Sequence, residues 1–250
     1  MVAPSVHAFD NLAPERLPLA LADLHRSIDV GARVRLRVGP GWERSHLNRV
    51  IDGAGFRVDG SAGRAVKATR LRTLPDTVGP GMRVLLVGLN PSVYSADAGV
   101  GFARPGNRFW PAAIAAGLVN RDRDTRDALV AHGVGMTDLV KRATARADEL
   151  SADEYRAGAV RVAALVEWLA PECVCFVGLS GYRVAIDRKA AVGWQPQPFG
   201  GRPAYVMPNP SGINAHATPA LLSEHLRELT RVSPVGRAAP RRRAARRPVR

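Results

Sequence analysis

The sequence predicts an α/β protein: a three-layer α/β/α sandwich on a central, mostly parallel sheet, with a small N-terminal α/β appendage and a disordered basic C-terminal tail. Three observations predict it. Short, wholly apolar runs such as MRVLLV at 82–87 read as strands buried on both faces, which requires helices on each side of the sheet. Helical patterns with clear start signals alternate with these runs. The composition also changes at both ends of the alternating region, from an Arg-rich mixed segment before it to SPVGRAAPRRRAARRPVR after it.

The N-terminal unit is expected over residues 1–80 and ends at Val-Gly-Pro-Gly (78–81), a strong turn signal. Its stretch LADLHRSIDVGARVRLRV, followed by LNRVIDGAGFRVDG, resembles the closing strands and helices of a class I methyltransferase fold. The glycine-rich cofactor-binding half of that fold is not seen, so methyl transfer is not expected and the unit reads as a structural appendage or remnant.

The main domain is expected over 81–232. Its strands are read at Met82–Val87, Val134–Leu139, Val174–Val177 and Ala204–Met207, the last stopped by Pro208. Ser151-Ala-Asp-Glu154 is a capping-box signature. It opens a helix through Tyr155, Ala159, Val162, Val166 and Leu169, followed by Pro171. Thr218 and Pro219 supply the N-cap and first-turn proline of a last helix through Leu221, Leu222, Leu226 and Leu229. The segment 233–250 has seven arginines, three prolines and no acid, a composition with too few apolar groups to order itself.

Composition narrows the function. Hydrophobic residues make up 46%, enough for a real core. No apolar run approaches the roughly 18–20 residues a bilayer span needs, and the N-terminus has no secretory pattern, so a cytoplasmic, nucleoid-associated protein with no membrane partner is expected. Lys and Arg number 36 against 22 acids, for a net charge of +14. That excess points to nucleic acid or another anionic surface. An Arg- and Ala-rich composition drifts basic as well, and both readings stay open on charge alone. Cys173 and Cys175 lie two apart, on one face of a strand, without metal or redox spacing, and read as buried thiols.

Ligands of such sheets bind beyond the carboxyl ends of the strands. Two loops leave that edge with related chemistry: Gly88-Leu89-Asn90-Pro91-Ser92 after the first strand of the main domain, and Pro208-Asn-Pro-Ser-Gly-Ile-Asn214 after the last. Each carries Asn-Pro-Ser. Ordinary turn formation explains either loop alone. Two at equivalent strand ends make a shared pocket an equal alternative.

The stretch VLLVGLNPS…GVGFARPGNRFWPA closely resembles the first motif of the mismatch-specific uracil-DNA and thymine-DNA glycosylase family, and NPSGIN resembles its second. GVGMTDLVKRATARADEL and the capped helix after it match in order and spacing, so the resemblance covers roughly 78–230. It implies a monofunctional DNA glycosylase, without metal or cofactor, that everts a damaged or mismatched pyrimidine from double-stranded DNA, acts as a monomer and begins base excision repair. Asn90 matches the family's water-positioning asparagine. Thr137 matches a residue that helps hold the water, with a strand-end cap as its alternative. Phe102 matches the base-stacking phenylalanine. The resemblance assigns Gly88, Leu89, Ser92, Ala103, Asn107 and Asn209 to the base pocket, and Ser211, Gly212, Ile213, Asn214 and His216 to the DNA, with Ile213 as the wedge.

The departures matter as well. Efficient uracil-DNA glycosylases carry aspartate and histidine where Asn90 and Asn209 stand, so slow turnover on destabilised pairs is expected. Ser92 replaces a frequent glycine, and Ala215 a frequent arginine. Asp97, near the pocket rim, either assists water activation or is a solvated loop carboxylate. No lysine stands in the catalytic loops, so a Schiff-base lyase step is not expected. A non-catalytic mismatch-binding relative and an unrelated small-molecule α/β enzyme are the alternatives.

Overall fold

The RVRLRV run alternates at period two and dictates a strand with one face in a core and one in water. The computed structural model, which describes residues 4–231, builds the first unit around it. The elements are β1 (Ser5–Phe9), α1 (Leu17–Ser27), β2 (Arg33–Val38), α2 (Arg44–Gly53), β3 (Phe56–Ala62) and β4 (Ala65–Arg70). The sheet order is β1-β2-β4-β3, with β1 parallel to β2 and both neighbours of β4 antiparallel to it. Val34, Leu36 and Val38 join Val66, Ala68 and Phe56 under Leu17, Leu21, Leu47 and Ile51 of the two helices. The Arg-rich segment 233–250, expected to be disordered, lies outside the described residues.

The second unit contains β5 (Val84–Gly88), α3 (Val93–Ala98), α4 (Phe109–Ala115), α5 (Thr125–His132), β6 (Val134–Asp138), α6 (Ala152–Leu169), β7 (Cys173–Val177), α7 (Leu179–Ala185), β8 (Gly193–Trp194), β9 (Ala204–Met207) and α8 (Pro219–Thr230). Its sheet runs β6-β5-β7-β9-β8, parallel except for β8. β5, β7 and β9 are buried along their whole length. Leu85, Val87, Val174, Phe176 and Val206 enter one core with α6. Val84, Leu86, Cys173, Cys175, Tyr205 and Met207 enter another with α4 and α8. Two cores on opposite faces make the three layers, and the two thiols share one face. Burial pushes Cys173 up to about 12 and Cys175 well above its ordinary range.

Local signals set the long helices. Ser151 and Glu154 form the full reciprocal capping box of α6, and Thr218 caps α8 with Pro219 at its first position. The edge strand β8 is two residues long and carries no sequence signature. The chain enters the second sheet before the Val-Gly-Pro-Gly turn, because Thr77 and Met136 exchange backbone hydrogen bonds at 2.9 Å in both directions. The first unit docks through its helices. Rings of Trp42 and His46 meet Trp168 of α6, and Arg26 of α1 donates to Thr77 and Thr125. Its sheet is therefore the outer layer, with the helices between it and α6.

Candidate active site

Strand order positions the site. The crossover from β5 to β6 packs α4 on one face of the sheet, and the crossover from β6 to β7 packs α6 on the other. Loops that diverge in this way open a crevice at the carboxyl ends of β5 and β7. There the structure has a cleft of about 770 Å³, bounded by the loop after β5, by Gly101–Asn107, by Asp138–Asp148 and by the loop after β9. It is open to solvent and large enough to admit a whole nucleotide.

Asn90 projects from the end of β5 into this cleft. Its Nδ2 donates to Thr144 Oγ1 at 2.8 Å, Arg142 O at 3.0 Å and Pro91 O at 3.1 Å. Two of these acceptors are carbonyls, which cannot donate, so chemistry fixes which end of the amide points inward. Oδ1 has no hydrogen-bond partner among the described residues and is free to accept one in the cleft. Thr144 reaches Asn90 because pairing continues past the strand ends. Leu139 N donates to Gly88 O, Val140 N to Leu89 O and Thr144 N to Pro91 O.

Phe102 forms part of the wall. It stacks on Phe109 with centroids 4.3 Å apart, and Phe109 meets Trp110 edge-on. Its backbone is left-handed, φ 58°, a conformation that costs a non-glycine residue free energy and needs support from its surroundings. The Trp110 indole supplies support by donating to Gly101 O. Ile213, which also lines the cleft, is 94% exposed. Single exposed apolar residues are common, but one almost wholly in water at a cleft mouth is not explained by packing.

Asp138, at the end of β6, also lines the cleft. Its carboxylate lies so close to Gly88 that a β-carbon there would meet Oδ1 at 2.3 Å. The carboxylate accepts no hydrogen bond among the described residues. Burial pushes its pKa up to about 6, with Asp76 adding to the shift and Lys141 and Arg161 opposing it.

The model of the uracil DNA glycosylase superfamily matches residues 75–230. The chain belongs to that superfamily. A solution NMR structure from Methanosarcina acetivorans, described provisionally as a uracil DNA glycosylase, is similar over 64% of this chain and 98% of its own, at 20% identity and a TM-score of 0.46. Membership in the superfamily supports DNA glycosylase activity, hydrolysis of a base from its sugar.

Of the residues predicted for a uracil DNA glycosylase site, Gly88, Leu89, Asn90, Ser92, Phe102, Asn107, Asn209, Ser211, Ile213 and Asn214 all line the cleft. Several have local partners. Ser92 Oγ accepts from Ser95 N and caps α3, Asn107 Oδ1 accepts from Phe109 N, and Asn209 Oδ1 accepts from Ser211 N. Ala103 is buried and His216 exposed, and neither lines the cleft. Gly212 is required by another part of the protein: a β-carbon there would meet Gly106 O at 2.6 Å.

Thr137 and Asp97 both stand away from the cleft. Thr137 pairs with Val87, three residues before Asn90, and its Oγ1 donates to buried Asp76 at 2.6 Å and accepts from Arg161 at 3.0 Å. The threonine beside Asn90 is Thr144. Asp97 does not line the cleft, and Arg72 holds both its oxygens at 2.6 Å. Two acids line the cleft, Asp138 and Asp148; Asp148 is exposed and paired with Arg146 at 2.6 Å, whereas Asp138 has no such partner among the described residues. Neither Thr144 nor Asp138 follows from a local pattern; the register of β6 against β5 brings them there.

Arg108, in the Asn-Arg-Phe-Trp run, was also missed. Its guanidinium donates to Asn214 O at 2.9 Å, Ala217 O at 2.7 Å and Gly212 O at 3.2 Å, fixing the loop that carries Ile213. Lys141 Nζ lies 2.8 Å from Asp76 and does not line the cleft. Among the described residues no group of three or more His, Cys, Asp or Glu could hold a metal ion, and no helix is long and apolar enough to cross a membrane.

Proposed function

We propose that the protein is a monofunctional glycosylase that removes uracil, and thymine or other damaged pyrimidines in mismatches, from double-stranded DNA as a monomer, beginning base excision. The observation that carries the reading is Asn90: an amide held by three acceptors on its nitrogen, with its oxygen free in a cleft large enough to admit a whole nucleotide.

The target nucleotide leaves the stack and enters the cleft, where its base lies against Phe102; stacking of this kind is worth roughly 1–3 kcal/mol. Ile213 fills the vacated space and keeps the duplex open. Asn90 Oδ1 accepts a hydrogen bond from water and aims it at the anomeric carbon. An amide is a poor base, so positioning is its contribution. Asp138, ionised above about pH 6, sets a negative charge near the sugar as that ring becomes oxocarbenium-like, and it can take the proton that the attacking water loses. The bond from sugar to base breaks, its electron pair leaves with the base, and water oxygen takes its place.

A duplex labelled on one strand and carrying one U·G mismatch tests the reading. Incubation followed by alkali should cut the strand at the mismatch with the natural protein and leave it whole with Asn90→Ala, while both proteins retain the duplex in a mobility shift. Absence of cutting by the natural protein on U·G and T·G alike, with binding retained, would leave a mismatch-binding protein instead.

A further inference from the structure

The face of the N-terminal sheet turned away from its helices is strongly basic. β2 presents Arg33, Arg35 and Arg37 there, all exposed, at every second residue. With about 3.3 Å per residue, they form a line roughly 13 Å long. The register adds Lys67 of β4 opposite Arg35, and Arg57 of β3 opposite Thr69, the partner of Arg33. Two acids answer these cations: Asp10 accepts from Arg37 at 2.7 Å, and Asp59 from Arg57 at 3.0 Å. Arg33, Arg35 and Lys67 have no ion-pair partner among the described residues.

The placement of Arg35 against Lys67 is informative. Like charges directly opposite on antiparallel strands destabilise a sheet, and an exposed position accepts many neutral residues in their place. A local rule broken without benefit to the fold points to a ligand. The face is the outer layer of its unit, with α1 and α2 lying between it and α6, so this ligand is not the nucleotide held in the cleft. Its exposed apolar content is small, chiefly Val6 beside Arg35 at 61% exposure, and a surface of this kind has nothing to insert among lipid chains. Charge alone suffices for a polyphosphate backbone, where displaced counterions drive binding.

We propose that the open face of this sheet is a second nucleic-acid surface that holds the phosphodiester backbone of duplex DNA away from the lesion, through Arg33, Arg35 and Lys67. It adds affinity without reading sequence and without touching the chemistry.

The test uses the full chain and an undamaged fluorescent duplex, so it is independent of base excision. Anisotropy titrations over a range of salt compare the natural protein with R33Q/R35Q/K67Q and with the charge-conserving R33K/R35K/K67R. At roughly 0.9 per neutralised phosphate, the slope of log K against log salt should fall by about 2–3 in the first variant, and Kd should rise on the order of tenfold at low salt. The second variant should keep both. Single-turnover excision of a U·G duplex at saturating protein should be unchanged in either. An unaltered slope and Kd in R33Q/R35Q/K67Q overturns the proposal. Equal loss in the charge-conserving variant does so too, as does loss of binding to phosphatidylserine vesicles with DNA binding intact, which would make the partner a membrane.

Discussion

Asn90→Ala removes an acceptor aimed into the cleft and releases the three groups that held its nitrogen. Single-turnover excision should fall on the order of 100-fold, the scale of a lost positioning contact, with duplex affinity unchanged. The two threonines make a sharper pair. Thr144→Val frees one anchor of the Asn90 amide, so excision should slow by about tenfold. Thr137→Val should leave excision alone and lower stability by about 1–2 kcal/mol, because it removes one donor from buried Asp76. Rates for the two variants in the reverse order would return the role to Thr137. Asp138 gives the site a pH dependence. Below about pH 6 its carboxyl is neutral, and the excision rate should drop about tenfold per unit there and level off above. Asp138→Asn should flatten that profile at a low rate. Stability carries the opposite sign. A carboxyl whose pKa is raised on folding favours the folded state below its ordinary value of 3.8 and loses that contribution as pH climbs through about 6. The Asn variant should therefore resist urea better than the natural protein at pH 8.

The loop after β9 is fixed before DNA arrives. Arg108 holds it through three carbonyls and its own backbone N–H through Pro210 O, and Asn214 ties back to Asn209 O. A loop ordered in advance spares binding the entropy of ordering it. Arg108→Lys keeps the charge but loses the planar fork that spans several acceptors. Its excision of U·G in a duplex should slow several-fold, while a bubble already unpaired at the lesion should be processed near the natural rate. Equal slowing on both substrates would show that Arg108 supports the cleft as a whole. This loop also marks the limit of what the sequence reveals. β9 is legible to the residue, and α6 and α8 from their caps, because apolar runs and cap side chains act within a few residues. Asn90, Phe102 and Ile213 are legible because their motifs are contiguous. Thr144 and Asp138 are not, because strand register over 50 residues places them, and Arg108 is not, because its partners are carbonyl oxygens that every residue has. Register likewise sets Thr137 beside Val87, short of the cleft.

One carboxylate joins the two units. Asp76 precedes β5, and its backbone N–H donates to Gly53 O at the end of α2. Its side chain accepts from Thr137 of β6, from Lys141 at 2.8 Å and from Arg161 of α6 at 2.7 Å. A β-carbon on Gly53 would collide with Oδ2, so glycine is what lets the carboxylate sit against α2. Burial pushes the Asp76 pKa upward, but Arg161, Lys141 and the hydrogen bonds from Lys141 and Thr137 outweigh it and hold the group below its ordinary range. A lowered carboxyl contributes stability above its unfolded value of 3.8 and loses it as pH falls through the folded value, so this contact fails only in acid. Asp76→Asn keeps the shape but leaves two buried cations without their counter-charge. Breaking such a pair costs about 3–5 kcal/mol, so the urea midpoint at pH 7 should fall sharply. The site should register the change as well. Asp76 raises the Asp138 pKa while Lys141 and Arg161 lower it, so neutralising Asp76 leaves the cations unopposed. The break near pH 6 in the excision profile should move to lower pH in Asp76→Asn, measured where the variant is still folded. A lower midpoint with an unmoved break would mean that Asp76 joins the units without reaching the cleft; a moved break means that the packing of the N-terminal unit helps to set the charge beneath the base.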